Sequence, residues 1–103
     1  SREIMSISKK ELLLICLGEE CNEVAKEVSK ALRFGIDDIN PKTKEINKEA
    51  ISNELNDIFS IAEILVELNI IDDYKDKEKT ETKKQKLRKY EKYSIERGTV
   101  HED

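Results

Sequence analysis

The chain has 103 residues and a net charge of −4; 41% of it is charged, 37% hydrophobic, and it carries three Gly, one Pro and no Trp. A chain this short is one domain, or half of something that works as a pair, and so little Gly and Pro excludes collagen-like, mucin-like and flexible-linker classes. The longest apolar run, Leu12 to Leu17, is six residues, far below the roughly 18 that a membrane-crossing helix needs.

Abundant Glu, Lys, Leu and Ile point to helices. The stretch before Leu12 carries Glu3 and no cleavage-site pattern, so no signal peptide is expected. Ser8-Lys9-Lys10-Glu11 is a capping-box pattern, a hydroxyl at the cap and a carboxylate three residues on. Helix one is therefore expected over 9–34, ending at Gly35, which can adopt the left-handed conformation that closes helices. Gly18 lies within it at a cost in propensity and marks a possible close approach of another backbone. Residues 36–46 form a connection, with a turn at Asn40-Pro41. Helix two is expected over 47–69, capped by Asn47 and ended by Asn69. Residues 70–73 form a turn whose Asp72 or Asp73 caps the next element.

A third helix over 74–95 has a thin apolar side, only Leu87, Tyr90, Tyr93 and Ile95, and reads equally well as a solvated, frayed helix. The sequence thus predicts a single all-α domain over 1–95, a helical bundle of two long amphipathic helices and a weaker C-terminal one. The tail over 96–103 reads as disordered. Cys16 and Cys21 match no zinc or CxxC spacing and read as small buried side chains in a reducing cytoplasm.

Charge is uneven along this plan. Residues 1–74 hold 9 Lys/Arg against 16 Asp/Glu, whereas residues 75–93 hold 9 against 4. The chain as a whole is not basic enough to read as a nucleic-acid binder.

Helical phase locates the informative residues. At about 100° per residue, with Leu13 at zero, Leu17, Val24, Val28 and Ala31 fall within about 60° of it, a core-facing stripe. Glu20 falls at about −20°, inside the stripe, Glu27 at about −40° and Glu23 at about −80°, on its flank. On helix two, with Ile51 at zero, Leu55, Ile58, Ala62 and Leu65 lie within about 40°, while Phe59 and Val66 lie at about 60–80°. Glu54 falls at about −60° and Asp57 at about −120°, among apolar residues rather than on the polar arc.

Each helix thus carries an acidic pair spaced i, i+3 against its buried arc, Glu20/Glu23 and Glu54/Asp57, and residues three apart are neighbours on a helix surface. An uncompensated buried carboxylate costs several kcal/mol, and four together repel. Neither apolar arc supplies enough Lys or Arg, since helix one offers only Lys30. A hard divalent cation, Mg²⁺ or Mn²⁺, meets the need with oxygen ligands and keeps waters for phosphates. The competing reading is a set of core-edge glutamates with buried stems and solvated heads. It fits Glu19, at about −120° on the rim, and leaves Glu27 open.

These residues carry a resemblance. Glu19-Glu20-Cys21-Asn22-Glu23 resembles the EExxE motif, and Glu54-Leu55-Asn56-Asp57 the ExxD motif, of the MazG-like all-α nucleotide pyrophosphohydrolases. The dimeric dUTPases and phosphoribosyl-ATP pyrophosphohydrolase belong to the same superfamily. Ser29-Lys30-Ala31-Leu32-Arg33-Phe34-Gly35 and Lys86-Leu87-Arg88-Lys89-Tyr90-Glu91-Lys92-Tyr93-Ser94 are similar to phage and bacterial proteins of this type. The resemblance spans roughly residues 11–94 and departs in two ways. The 30 residues between Glu23 and Glu54 are on the long side, and two strong helices stand where the family bundle usually has four or more.

The resemblance implies Mg²⁺-dependent hydrolysis of a nucleoside triphosphate to its monophosphate and pyrophosphate. It implies Glu20, Glu23, Glu54 and Asp57 as metal ligands, with Glu20 and Glu23 catalytic and Glu23 orienting or deprotonating the water. Lys30 and Arg33 are candidate phosphate donors, or an ordinary cationic last turn complementing the helix dipole. Tyr90 and Tyr93 could stack on a base, though Leu87 beside Tyr90 favours core packing for it. Two wide apolar arcs and a weak third helix cannot cover themselves, so a homodimer or homotetramer is expected. The alternatives in other classes are a non-catalytic helical interaction protein and a nucleotide-binding regulator without turnover.

Overall fold

The computed structural model describes residues 6–103. The protein is all-α: helix α1 spans Lys9–Phe34, α2 Asn47–Glu67 and α3 Lys77–Glu96. Among the described residues there is no strand, only an isolated antiparallel bridge between Ile39 and Ile46. No described helix is long and apolar enough to cross a membrane. The chain divides into two compact units, one ending at Asp72 and holding α1 and α2, the other starting at Asp73 and holding α3.

Helix α1 begins and ends where the sequence places it. The Glu11 N–H donates to Ser8 Oγ at 3.0 Å and the Ser8 N–H to Glu11 Oε1 at 3.2 Å, so the capping box is complete. Gly35 closes the helix at φ 104, a conformation that strains any side chain, and its N–H donates to the Ala31 carbonyl at 2.9 Å. Gly18 differs from expectation: a Cβ there would meet nothing within 4 Å, so no other backbone of the described chain approaches it.

The connection folds back on itself. Asn40 Oδ1 accepts from the Lys42 N–H at 2.9 Å and the Asn40 carbonyl from the Lys44 N–H at 2.8 Å, with Lys44 left-handed at φ 64. This turn delivers the backbone to the start of α2. The Asn47 N–H donates to the Asp38 carbonyl and the Lys48 N–H to the Ile36 carbonyl. Loop carbonyls therefore satisfy the first donors of α2, and the cap position, held by Ile46, uses no side chain. Asn47 is not the cap expected of it. It lies inside the helix, 3% exposed, and its Nδ2 donates to the Gly35 carbonyl at 2.7 Å, tying the start of α2 to the end of α1.

Asn69 ends α2 as expected, left-handed at φ 57. The Asn69 N–H donates to the Val66 carbonyl and the Ile70 N–H to the Leu65 carbonyl, the paired bonds of a Schellman motif. The cap of α3 is Asp76, whose carboxylate accepts from the Lys79 N–H at 2.9 Å. It is neither Asp72 nor Asp73; Asp73 instead accepts from the Lys75 N–H in a local turn. Glu96, where the sequence places the start of a disordered tail, is the last helical residue. Gly98, at φ 79, and Thr99 return their N–H groups to the Ile95 and Ser94 carbonyls.

α1 and α2 pack antiparallel, since Asn47 meets Gly35 at one end and Glu54 meets Glu20 midway. Their facing sides hold the fully buried Leu65 with Ala31, Ala50 and Ala62. Half-buried Leu13, Leu17, Val24, Ile51, Ile58 and Ile61 surround them. The packed side of α2 is turned toward Glu54, so Leu55 and Phe59, expected within its apolar arc, are largely exposed. α3 buries no residue.

Candidate metal centre

Helical phase brings the acidic residues together. Glu20 is in the middle of α1 and Glu54 in the middle of α2, both half-buried on the facing sides. Asp57, one turn beyond Glu54, is exposed at the edge of the same seam. One carboxylate oxygen from each of Glu20, Glu54 and Asp57 lies within 4.8 Å of the others, a group able to hold a cation.

Glu23 is the predicted ligand that stands outside this triad. It is exposed on the flank of α1, because its phase of about −80° carries it past the packed side. It is still near enough for its charge to act on Glu54. The four acidic residues thus share one edge of the helix pair, two between the helices and two at the opening.

The electrostatics are those of an uncompensated cluster. The Glu54 carboxyl titrates above its usual 4.5, first because it hydrogen-bonds Glu20, then because it is desolvated, then because Glu20, Asp57 and Glu23 repel its charge. That hydrogen bond needs a proton between the two carboxyls. Glu20 Oε2 is buried without a hydrogen-bond partner. Among the described residues no Lys or Arg forms an ion pair with any of the four; the pairs made are Lys30–Glu27 at 3.6 Å, Lys48–Asp37 at 3.0 Å and Arg88–Glu81 at 3.7 Å. An orphaned buried oxygen in an all-oxygen donor set suits a hard divalent cation.

The remaining candidates are dispersed. Lys30 is engaged by Glu27, which settles the open reading of Glu27 as a half-buried ion-pair partner. Lys30 is ten residues beyond Glu20, about 15 Å along α1. Arg33, a further turn away, sets its guanidinium over the Phe34 ring at 5.0 Å. Glu19 is exposed, as its rim phase predicts. Tyr90 and Tyr93 are exposed rather than packed, with Lys86 over one ring and Arg97 over the other. Cys16 is half-buried but Cys21 is exposed, a departure from its expected burial, and both are free thiols.

One feature escapes sequence reading: a cavity of about 380 Å³ where the connection folds against the end of α1, walled by Phe34, Ile39 and Pro41 with Lys30 and Lys42 at its edges. Only the Asn40-Pro41 turn hinted at it, since the wall exists once residues 36–46 fold back. Comparison with protein-family models, curated proteins and solved structures found no match to this chain.

Proposed function

We propose that the protein is a divalent-cation-dependent nucleoside triphosphate pyrophosphohydrolase, releasing a nucleoside monophosphate and pyrophosphate. The observation that carries this reading is the convergence of Glu20, Glu54 and Asp57 around a buried carboxylate oxygen that no basic side chain serves. The EExxE and ExxD patterns, which place those same residues, support it.

In this reading Glu20, Glu54 and Asp57 hold Mg²⁺ or Mn²⁺. The bound cation supplies charge neutralisation for the phosphates and a more acidic water. Glu23, exposed one turn from Glu20, accepts the proton of the attacking water at its carboxylate. Glu54 must be ionised to serve as a ligand, and its carboxyl holds its proton above the usual carboxylate range, so affinity for the cation rises with pH across that range. In this reading Lys30 exchanges Glu27 for a phosphate oxygen as substrate binds, while Arg33 lies farther out along α1. Two free cysteines suit a reducing compartment such as the cytoplasm.

The test is pyrophosphate release from a panel of ribo- and deoxyribonucleoside triphosphates with Mg²⁺, comparing the native chain with Glu20→Gln and Asp57→Asn. Activity that both substitutions abolish supports the proposal. A folded native protein that hydrolyses none of them rejects it. A melting shift with Mg²⁺ but no product would leave a metal-binding protein without turnover.

A further inference from the structure

Helix α3 and its cap, residues 77–97, hold nine Lys/Arg against four Glu. In the chain's net −4 this excess vanishes beneath the acidic first part. Helical phase sorts it by face. With Lys77 at zero and about 100° per residue, Lys79, Lys83, Lys86, Lys89 and Arg97 fall at about 120–240°, together with Tyr90 and Tyr93, and no Glu falls there. Lys77, Lys84, Arg88 and Lys92 share the other face with Glu78, Glu81, Glu91 and Glu96, four cations against four acids. The whole positive excess therefore lies on one side. Lys79, Lys83, Lys86, Tyr90, Tyr93 and Arg97 succeed one another there at spacings of four and three, in a file about 27 Å long. Both tyrosines are 57% exposed. The Lys86 ammonium lies over the Tyr90 ring, 5.8 Å from its centroid, and the Arg97 guanidinium over that of Tyr93 at 5.7 Å. Among the described residues none of the five cations on this face is in an ion pair; the pair that α3 makes, Arg88–Glu81, belongs to the other face.

We propose that this face of α3 binds single-stranded nucleic acid. A line of unpaired cations without an acid among them answers the charge of a phosphate backbone, and the counterions that the backbone releases drive the association. The two tyrosines supply what a merely electrostatic surface lacks, exposed rings on which unpaired bases stack, and every base has such a face whatever its identity. Lys86 and Arg97, held beside those rings, then meet the phosphates that flank the stacked bases. The file is long enough for about four to eight nucleotides. A lipid surface fits less well. A helix that lies on a membrane buries an apolar face opposite its cations, whereas the face opposite these is charged, with Ile95 as its apolar residue. An acidic peptide would meet the cations but leave the rings unused. The inference concerns α3 alone and stands whether or not the protein hydrolyses nucleotides.

The experiment uses the full chain in a chelator, so that the acidic site is unloaded. Fluorescence anisotropy with a labelled oligothymidylate of about 12 nucleotides is expected to show saturable binding at low salt. The logarithm of affinity should fall linearly with that of salt concentration, with a slope of about −3.5 for five phosphates neutralised. Lys83→Glu combined with Lys86→Glu is expected to weaken binding by about 10-fold or more. Lys84→Glu combined with Lys92→Glu, the same change of charge on the other face, is expected to weaken it by less than about 3-fold. Tyr90→Ala combined with Tyr93→Ala should weaken it by about 5-fold or more at an unchanged salt slope, while Tyr90→Phe, which keeps the ring, should not. Helicity by circular dichroism is expected to persist in every variant, since all these positions are exposed. Absence of binding at low salt overturns the proposal, and so does an equal loss from the two charge-reversed pairs. Tighter binding to a duplex of the same length overturns the stacking role. Equal competition by polyglutamate would give the face to an acidic protein, and capture by phosphatidylserine vesicles without oligothymidylate binding would give it to a membrane; either result overturns the assignment to nucleic acid.

Discussion

The α1–α2 unit and the α3 unit are both helical and both highly charged, yet they are held by different means. In α1 and α2 the apolar residues recur on one side, and Leu65, Ala31, Ala50 and Ala62 leave the solvent. α3 buries nothing and depends on local terms: the Asp76 cap, the Gly98 terminus and an exposed Arg88–Glu81 pair of little energetic weight. The charges differ in the same way. In α3 they are solvated, whereas in α1 and α2 Glu20 and Glu54 face each other across a seam. What makes a carboxylate chemically interesting here is its register with apolar neighbours.

The largest expected effect sets these two kinds of charge against each other. On the proposed function, Glu20→Gln should lower turnover by roughly 10²–10⁴-fold through loss of the cation, whereas Glu81→Gln on α3 should leave the rate unchanged. Equal losses at both positions would erase the distinction. Next comes packing. Leu65→Ala should cost about 2–5 kcal/mol in urea unfolding, against less than about 0.5 kcal/mol for Leu87→Ala on exposed α3. Then comes the tie between the helices. Asn47→Ala leaves the Gly35 carbonyl without its donor and should cost about 1–3 kcal/mol across the α1–α2 unit. Asp76→Ala should cost about 1 kcal/mol, seen as faster hydrogen exchange confined to the first turn of α3.

The smallest effect concerns pH. Glu54 titrates above its usual value in the folded chain, so the folded state holds that proton more tightly than the unfolded one. Its contribution to stability is complete below the unfolded value and is lost as pH rises through the raised one. Melting temperature in a chelator should therefore fall slightly with rising pH over that window, and Glu54→Gln should flatten the slope. Added Mg²⁺ should reverse it, because the cation favours the ionised pair. A slope that survives Glu54→Gln would place its origin elsewhere.

Amino-acid sequence by itself determined what depends on near neighbours along the chain. Ser8 and Glu11 cap each other three residues apart, and Gly35 and Asn69 can turn left-handed, so the limits of α1 and the end of α2 were legible without a fold. The i, i+3 acidic pairs were legible because 3.6 residues per turn sets who stands beside whom. Tertiary structure decided what depends on meeting another element. It capped α2 with loop carbonyls and released Asn47 to bind Gly35. It rotated α2 so that Glu54 faces α1 while Leu55 and Phe59 look outward. It separated Glu23 from the triad of Glu20, Glu54 and Asp57. Helical phase fixes angles within one helix, but an arc wider than its contact leaves the facing direction open, and only the partner helix can choose it.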